Sequence, residues 1–253
     1  CFEEAKIHFG NSTHGAVATP LNETQWKKRS KEVVEPVVFD KARYKVFRRI
    51  LGQVAHCSHF SHPEITTAVN LVSQYMANPS PHDLESVWHI LKYLKGTVNK
   101  ERSQLTFKIN LEAYKTKANP LHILCDANLE VKNSRSGFAA YLYGNLVGWV
   151  SKRQNMVSLS TCESEYVALT TCAQFAKWYR ALACSMGVEQ VGCEPAIILT
   201  DSTSAKQLAE SPISIINTKS RHIERRVHWI RDEIRDKNIL LHHVDGLKNT
   251  ADL

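Results

Sequence analysis

Two apolar runs in the chain end abruptly in an acid. LHILCDAN, residues 121–128, meets Asp126, and AIILTD, residues 196–201, stops at Asp201. Each reads as a buried strand with a carboxylate at its exit. A carboxylate at the rim of a core is unfavourable unless its charge is compensated, and two on neighbouring strands suggest a shared divalent metal. A third acid comes from a long helix that offers two, Glu163 and Glu165. Steps of three and four from Glu165 reach Ala168, Leu169, Cys172 and Ala176, an apolar face. The same steps from Glu163 reach Tyr166, Val167, Thr170 and Gln174, a mixed one. Helical spacing therefore turns Glu165 toward the sheet, with an ordinary first-turn acid as the alternative reading. The fourth acid is Asp252 in NTADL, just past the last strand, where a capping role is the alternative. Four acids on one sheet repel strongly without cations. Two Mg²⁺ ions about 4 Å apart would relieve that, and such a pair activates a water against a phosphodiester and stabilises the leaving oxygen. The all-oxygen set suits Mg²⁺, with Mn²⁺ as the other fit.

The elements that must position these acids lie in residues 118–253. After the strand that ends at Asp126 come a polar turn (KNSRSG), then GFAAYLYG and NLVGWVSKRQ, with Gly144-Asn145 as the hairpin signal between the two strands. A long helix runs from Ser160 to Met186 and closes at Gly187. The AIILTD strand, a short helix through Ala205 and Leu208, and a basic helix from Lys219 to Asp236 follow. ILLHHV, residues 239–244, is the last strand, and NTADL opens a final helix. The order β-β-β-α-β-α-α-β-α predicts an α/β fold with a mixed sheet covered by helices.

Upstream, residues 1–38 read as an irregular linker, with Pro20 and the basic patch Lys27, Lys28, Arg29 and Lys31. Residues 39–110 read as a small helical module. Its first helix starts at Asp40, with Tyr44, Phe47, Leu51 and Val54 on one face. The second is expected to start with Ser61 as N-cap and Glu64 completing a capping box, to bury Ile65, Ala68, Val69, Val72 and Met76, and to stop at Asn78-Pro79. The third runs from Pro81 to Leu94, with Leu84, Val87, Trp88 and Leu91 inward and Gly96 as terminator. His56, Cys57, His59 and His62 lack the second pair of ligands that a zinc site needs.

No run approaches the roughly 18 apolar residues of a membrane span, and the start CFEEAKIHFG has no signal-peptide pattern. Seven cysteines without a CxxC pair fit a reducing compartment, and Cys125, Cys172 and Cys184 read as small core residues. Of the net charge of +7, residues 1–110 carry +5 and the remainder +2. That excess favours a polyanionic partner such as nucleic acid, with a solvated surface as the alternative.

Several motifs carry a resemblance. LCDAN, RSGFAAYLYG with VGWVSKRQ, SLSTCESEYVAL, LTDSTSAKQLAESP, SRHIERRVHWIRD and NTADL come in the order and spacing of the RNase H domain of copia-type LTR-retrotransposon Pol polyproteins. FGNSTHGAVATPL and the tract from RYKVFRRILGQ to ILKYLKGT resemble the stretch that joins the reverse transcriptase of that family to its RNase H domain. The resemblance implies an RNase H-like mixed five-stranded sheet flanked by helices, preceded by a small helical module. It also implies metal-dependent hydrolysis of the RNA strand of an RNA–DNA hybrid during replication of the element. Carried over position by position, the metal carboxylates fall on Asp126, Glu165, Asp201 and Asp252. A product-releasing histidine falls on His222, with His228, His242 and His243 competing. Lys152, Arg153, Lys219, Arg221, Arg225 and Arg226 are placed for backbone phosphates, and Ser202 and Ser204 for hydrogen bonds to substrate. The implied partners are the hybrid and the rest of the Pol polyprotein, reverse transcriptase and integrase. The implied setting is a cytoplasmic virus-like particle, with the nucleus as the other compartment. Two departures stand out. Asn128 occupies a place where the family usually has a second acid, and the chain reads as a segment without the polymerase's catalytic aspartates or the tail after the last acid. A relic or host-adopted fragment that binds without cutting is the alternative function.

Overall fold

In the strand that leads to Asp126, the buried Leu121, Ile123 and Cys125 alternate with the half-buried His122, Leu124 and Asp126. That period of two makes one apolar face and one mixed face. The computed structural model describes residues 41–97, 105–108, 119–129, 134–211 and 223–251, together with 15, 17–22, 24, 26, 110 and 112. The chain divides into two compact units, residues 1–105 and 106–253.

In the first unit, α1 (Lys41–Phe60), a 3₁₀ turn (Pro63–Ile65), α2 (Thr66–Ser73) and α3 (Pro81–Thr97) enclose Phe47, Ile50, Leu51, Val54, Ile65, Val72, Val87 and Leu91. Three local expectations fail here. Ser61 is not a cap, because its hydroxyl turns back to the Cys57 carbonyl, and Glu64 accepts from His62 Nδ1 at 2.9 Å. The second helix ends at Ser73, before Asn78-Pro79, and leaves Met76 36% exposed. Gly96 lies inside α3 and does not end it. The capping box belongs to α3, where the Asp83 carboxylate accepts the N–H and the hydroxyl of Ser80 at 2.7 and 2.8 Å.

The second unit holds one sheet. β1 (Leu121–Asn128), β2 (Arg135–Leu142) and β3 (Asn145–Arg153) form an antiparallel meander. α4 (Thr161–Ser185) and the short α5 (Glu189–Cys193), absent from the expected order, carry the chain to β4 (Ala196–Thr200). α6 (Thr203–Glu210) and α7 (Glu224–Arg235) lead to β5 (Ile239–His243). The strand order is β3-β2-β1-β4-β5, with β4 parallel to both β1 and β5. This is the mixed, helix-flanked five-stranded sheet of the RNase H-like fold expected for this part of the chain.

The turn between β2 and β3 is centred on Tyr143 and Gly144, at φ 50° and 82°, one residue earlier than expected. Both residues take the left-handed geometry that matches the twist of a hairpin. The expected helix at 219–236 is observed from Glu224 to Arg235; residues 219–222 lie outside the described ones. After β5 the described chain makes a 3₁₀ turn (Gly246–Lys248), and any helix from residue 252 falls outside them.

The core joins Ile123 and Cys125 of β1, Ile198 of β4 and Ile239 of β5 to Leu169, Cys172 and Ala176 of α4 and to Val227 and Ile230 of α7. Burying each branched side chain contributes about 2–3 kcal/mol. Cys184 is exposed, unlike Cys125 and Cys172, because the last turns of α4 run beyond this core. Among the described residues, no helix is long and apolar enough to cross a membrane.

Candidate active site

The β1–β4 ladder is parallel and its last pair is Cys125↔Thr200. The next residue on each strand is an acid, so Asp126 and Asp201 leave the sheet side by side at the same edge. Two carboxylates 75 positions apart become neighbours through this register alone.

The third acid depends on how α4 begins. Ser160 is the N-cap, its Oγ accepting the Glu163 N–H at 3.2 Å, and the Glu163 carboxylate accepts the Leu159 N–H at 2.7 Å. Glu163 is thereby spent on the helix start. Glu165 instead reaches the strand exits, and ligand oxygens of Asp126, Glu165 and Asp201 all lie within 4.8 Å of one another. All three side chains are half-buried. The steps from Glu163 run through the buried Tyr166, Val167 and Thr170 to the exposed Gln174, a mixed face, while those from Glu165 run through the buried Ala168, Leu169, Cys172 and Ala176.

Crowding shows in the protonation of Glu165. Burial, then the charges of Asp126 and Asp201, push its carboxyl up to about 8, against a smaller opposing hydrogen bond from the Ala127 backbone. Its Oε2 is buried without a hydrogen-bond partner. A group of carboxylate oxygens, mutually repelling and one of them buried and unpartnered, fits a hard divalent cation. Nitrogen or sulfur ligands are not needed.

No protein-family model matches the chain. The Retrovirus-related Pol polyprotein from transposon TNT 1-94 of Nicotiana tabacum is 29% identical over 242 residues, 94% of this chain. The corresponding polyprotein from transposon RE1 of Arabidopsis thaliana is 28% identical over 210 residues, 81% of the chain. These relatives of the chain are retrovirus-related Pol polyproteins of plant transposons, matched over 81–94% of its length. The chain spans 17% and 13% of the length of those two relatives. Among solved structures, it is similar to LC11-RNase H1, isolated from compost, with 17% identity and a TM-score of 0.41, over 53% of this chain and 91% of that protein.

Asp252, His222, Lys219 and Arg221 lie outside the described residues. Lys152 and Arg153 are exposed at the end of β3, and Ser136 of β2 pairs with both Lys152 and Ala127, so they share the edge of Asp126. Arg225 is exposed on α7, while Arg226 is half-buried with Nη1 3.0 Å from Met156 Sδ. Ser202 caps α6, its Oγ accepting the Ala205 N–H at 3.2 Å and bonding the Ser204 hydroxyl at 3.2 Å. Of the histidines weighed, His243 comes to the trio: its Nε2 lies 3.2 Å from the Asp201 carbonyl.

Two residues of the site's frame were not anticipated from sequence. Gln154, almost fully buried, donates through Nε2 to Ser136 Oγ and to the Ser164 carbonyl, both at 2.9 Å, and accepts from Ser158 at 2.8 Å. It fastens β2 to the first turn of α4, one residue before Glu165. Asn249 bonds the Cys125 carbonyl at 3.0 Å. Neither lies on a periodic face; the only signal is a polar residue beside a motif, after Lys152-Arg153 or within NTADL.

Proposed function

We propose that this chain is the ribonuclease H part of a transposon Pol polyprotein, hydrolysing the RNA strand of RNA–DNA hybrids during reverse transcription of its element. The observation that carries this reading is the convergence of Asp126, Glu165 and Asp201 at one sheet edge, with an unpartnered buried oxygen on Glu165. The Pol polyprotein relatives supply the context in which such hybrids arise.

Asp126, Glu165 and Asp201, joined by Asp252, would hold two Mg²⁺ or Mn²⁺ ions. Bound there, such a pair supplies an activated water and charge stabilisation at the leaving oxygen. The protein's own part is to hold these carboxylates together and deprotonated. Glu165, whose carboxyl is held up to about 8 by burial and by Asp126 and Asp201, would be a ligand in its deprotonated form. Lys152, Arg153, Arg225 and Arg226, with Lys219 and Arg221, carry the hybrid through its backbone phosphates. Ser202 and Ser204, next to Asp201, offer hydroxyls to the 2′-hydroxyls that distinguish RNA. His222 assists product departure. Reverse transcriptase and integrase of the same polyprotein are the protein partners, in a cytoplasmic virus-like particle.

The test is cleavage of an end-labelled hybrid by the 253-residue chain. Cutting requires Mg²⁺ or Mn²⁺, stops with EDTA, and is abolished by Asp126→Asn. Undiminished cutting by Asp126→Asn refutes the assignment. A wild-type chain that binds the hybrid and never cuts it, with either metal, makes it a binding module.

A further inference from the structure

β1 loses β4 as a partner at the place where the site begins. The ladder ends at Cys125↔Thr200, while β1 continues beside β2 alone as far as Asn128↔Arg135. Among the described residues, the ladder partner of Asp126 is therefore on the β2 side, at Gly137. At that point the Cys125 carbonyl, in the peptide that adjoins Asp126, accepts from Asn249 Nδ2 at 3.0 Å. The other end of the same amide accepts the Ala251 N–H at 3.1 Å, and Asn249 is 5% exposed. Both halves of this side chain are thus committed, and it bonds β1 at the last residue of the β1–β4 ladder, where β4 ends.

The loop that carries Asn249 is fastened at its other end to β4. The Val244 N–H donates to the Thr200 carbonyl at 3.0 Å. Gly246 passes close to Asp201, where a Cβ would lie 3.4 Å from Oδ2. Tyr141 of β2 bonds Thr250 at 3.0 Å. The loop spans the two strands whose exits carry Asp126 and Asp201.

The geometry points to Asn249 as a positioning residue for the metal carboxylates: its amide replaces the missing strand partner and sets the level of Asp126 against Asp201 and Glu165. This rests on the metal-dependent nuclease reading. Asn249 touches neither substrate nor ion; it acts through the peptide before Asp126. Loss of a residue that orients a metal ligand weakens metal binding about 10–100-fold.

Mn²⁺ alone is the probe, titrated into the full chain and followed by the electron paramagnetic resonance of the free ion, beside urea unfolding and hybrid cleavage. Asn249→Ala is expected to weaken Mn²⁺ binding at least about tenfold and to lower kcat, with KM for the hybrid unchanged. Tyr141→Phe, which loosens the same loop without touching the Cys125 carbonyl, keeps wild-type Mn²⁺ affinity. An Asn249→Ala protein that is less stable but binds Mn²⁺ as tightly as wild type overturns the inference, as does equal weakening by Tyr141→Phe. If Asn249→Ala does not fold, Asn249→Ser, too short to reach the carbonyl, is read by the same criteria. Asp126→Asn separates the two levels. If it binds Mn²⁺ like wild type, the nuclease reading itself fails; if it loses the ion while Asn249→Ala does not, only the role of Asn249 falls.

Discussion

Removing the charge of Glu165 should change how the metal-free protein responds to pH. Burial first, then Asp126 and Asp201, raise its carboxyl from 4.5 to about 8. Between those values the folded protein keeps a proton that the unfolded chain has released, so stability falls as pH rises. The loss is absent below pH 4.5 and complete above about pH 8. At about 1.4 kcal/mol per pH unit the ceiling is about 5 kcal/mol. Glu165 is only half-buried, and solvent screening reduces this to about 2–3 kcal/mol. For a chain of this length that is about 5–10 °C in Tm. The assay is thermal unfolding in EDTA from pH 5 to 9, wild type against Glu165→Gln. The amide cannot ionise, so the variant should match or trail wild type at pH 5 and gain on it steadily up to pH 8. Parallel curves across that window would refute the idea that the three carboxylates crowd one another. Adding Mg²⁺ at pH 7 should reverse the ranking, with release of a proton measurable in weakly buffered solution.

Two further outcomes follow from other parts of the molecule. Lys237 sits just past α7 at φ 56°, its N–H on the Ile234 carbonyl and the next on Glu233, a helix stop that favours glycine. Lys237→Gly should stabilise the protein by about 0.5–1 kcal/mol in urea unfolding, after the unfolded-state entropy that glycine adds; a loss of stability would contradict that backbone geometry. Arg225→Ala should weaken hybrid binding and lower the slope of log affinity against log salt by about 1. An unchanged slope removes Arg225 from the phosphate contacts.

Asp126 and Asp201 were legible because an acid that interrupts an apolar alternation has few structural reasons to be there. Glu165 was legible through its period along α4, and Gly187, at φ 75°, closed that helix where the periodic pattern ran out. The chemistry of local caps was less so. Ser61 and Glu64 match a capping box in spacing, yet the same spacing at Ser80 and Asp83 is where the box forms, since that start is buried. The spacing puts the hairpin on Gly144-Asn145, but the left-handed positions are Tyr143 and Gly144, and the Asn145 side chain is bonded to the backbone of Lys108. Asn249 could not be read, because its meaning lies in a carbonyl 124 positions earlier. A bond of that span leaves no trace in composition or period.

The seam between β1 and β4 also orders events in time. The β1–β2–β3 meander pairs strands close in sequence, and local pairing forms fast, whereas β4 must return across a helical crossover to find β1. Until that late docking, Asp126 has no second aspartate beside it, and the part of the repulsion that Asp201 contributes does not exist. A nascent polypeptide that has not yet reached residue 201 can therefore settle its hairpins without bearing the electrostatic burden of the finished centre.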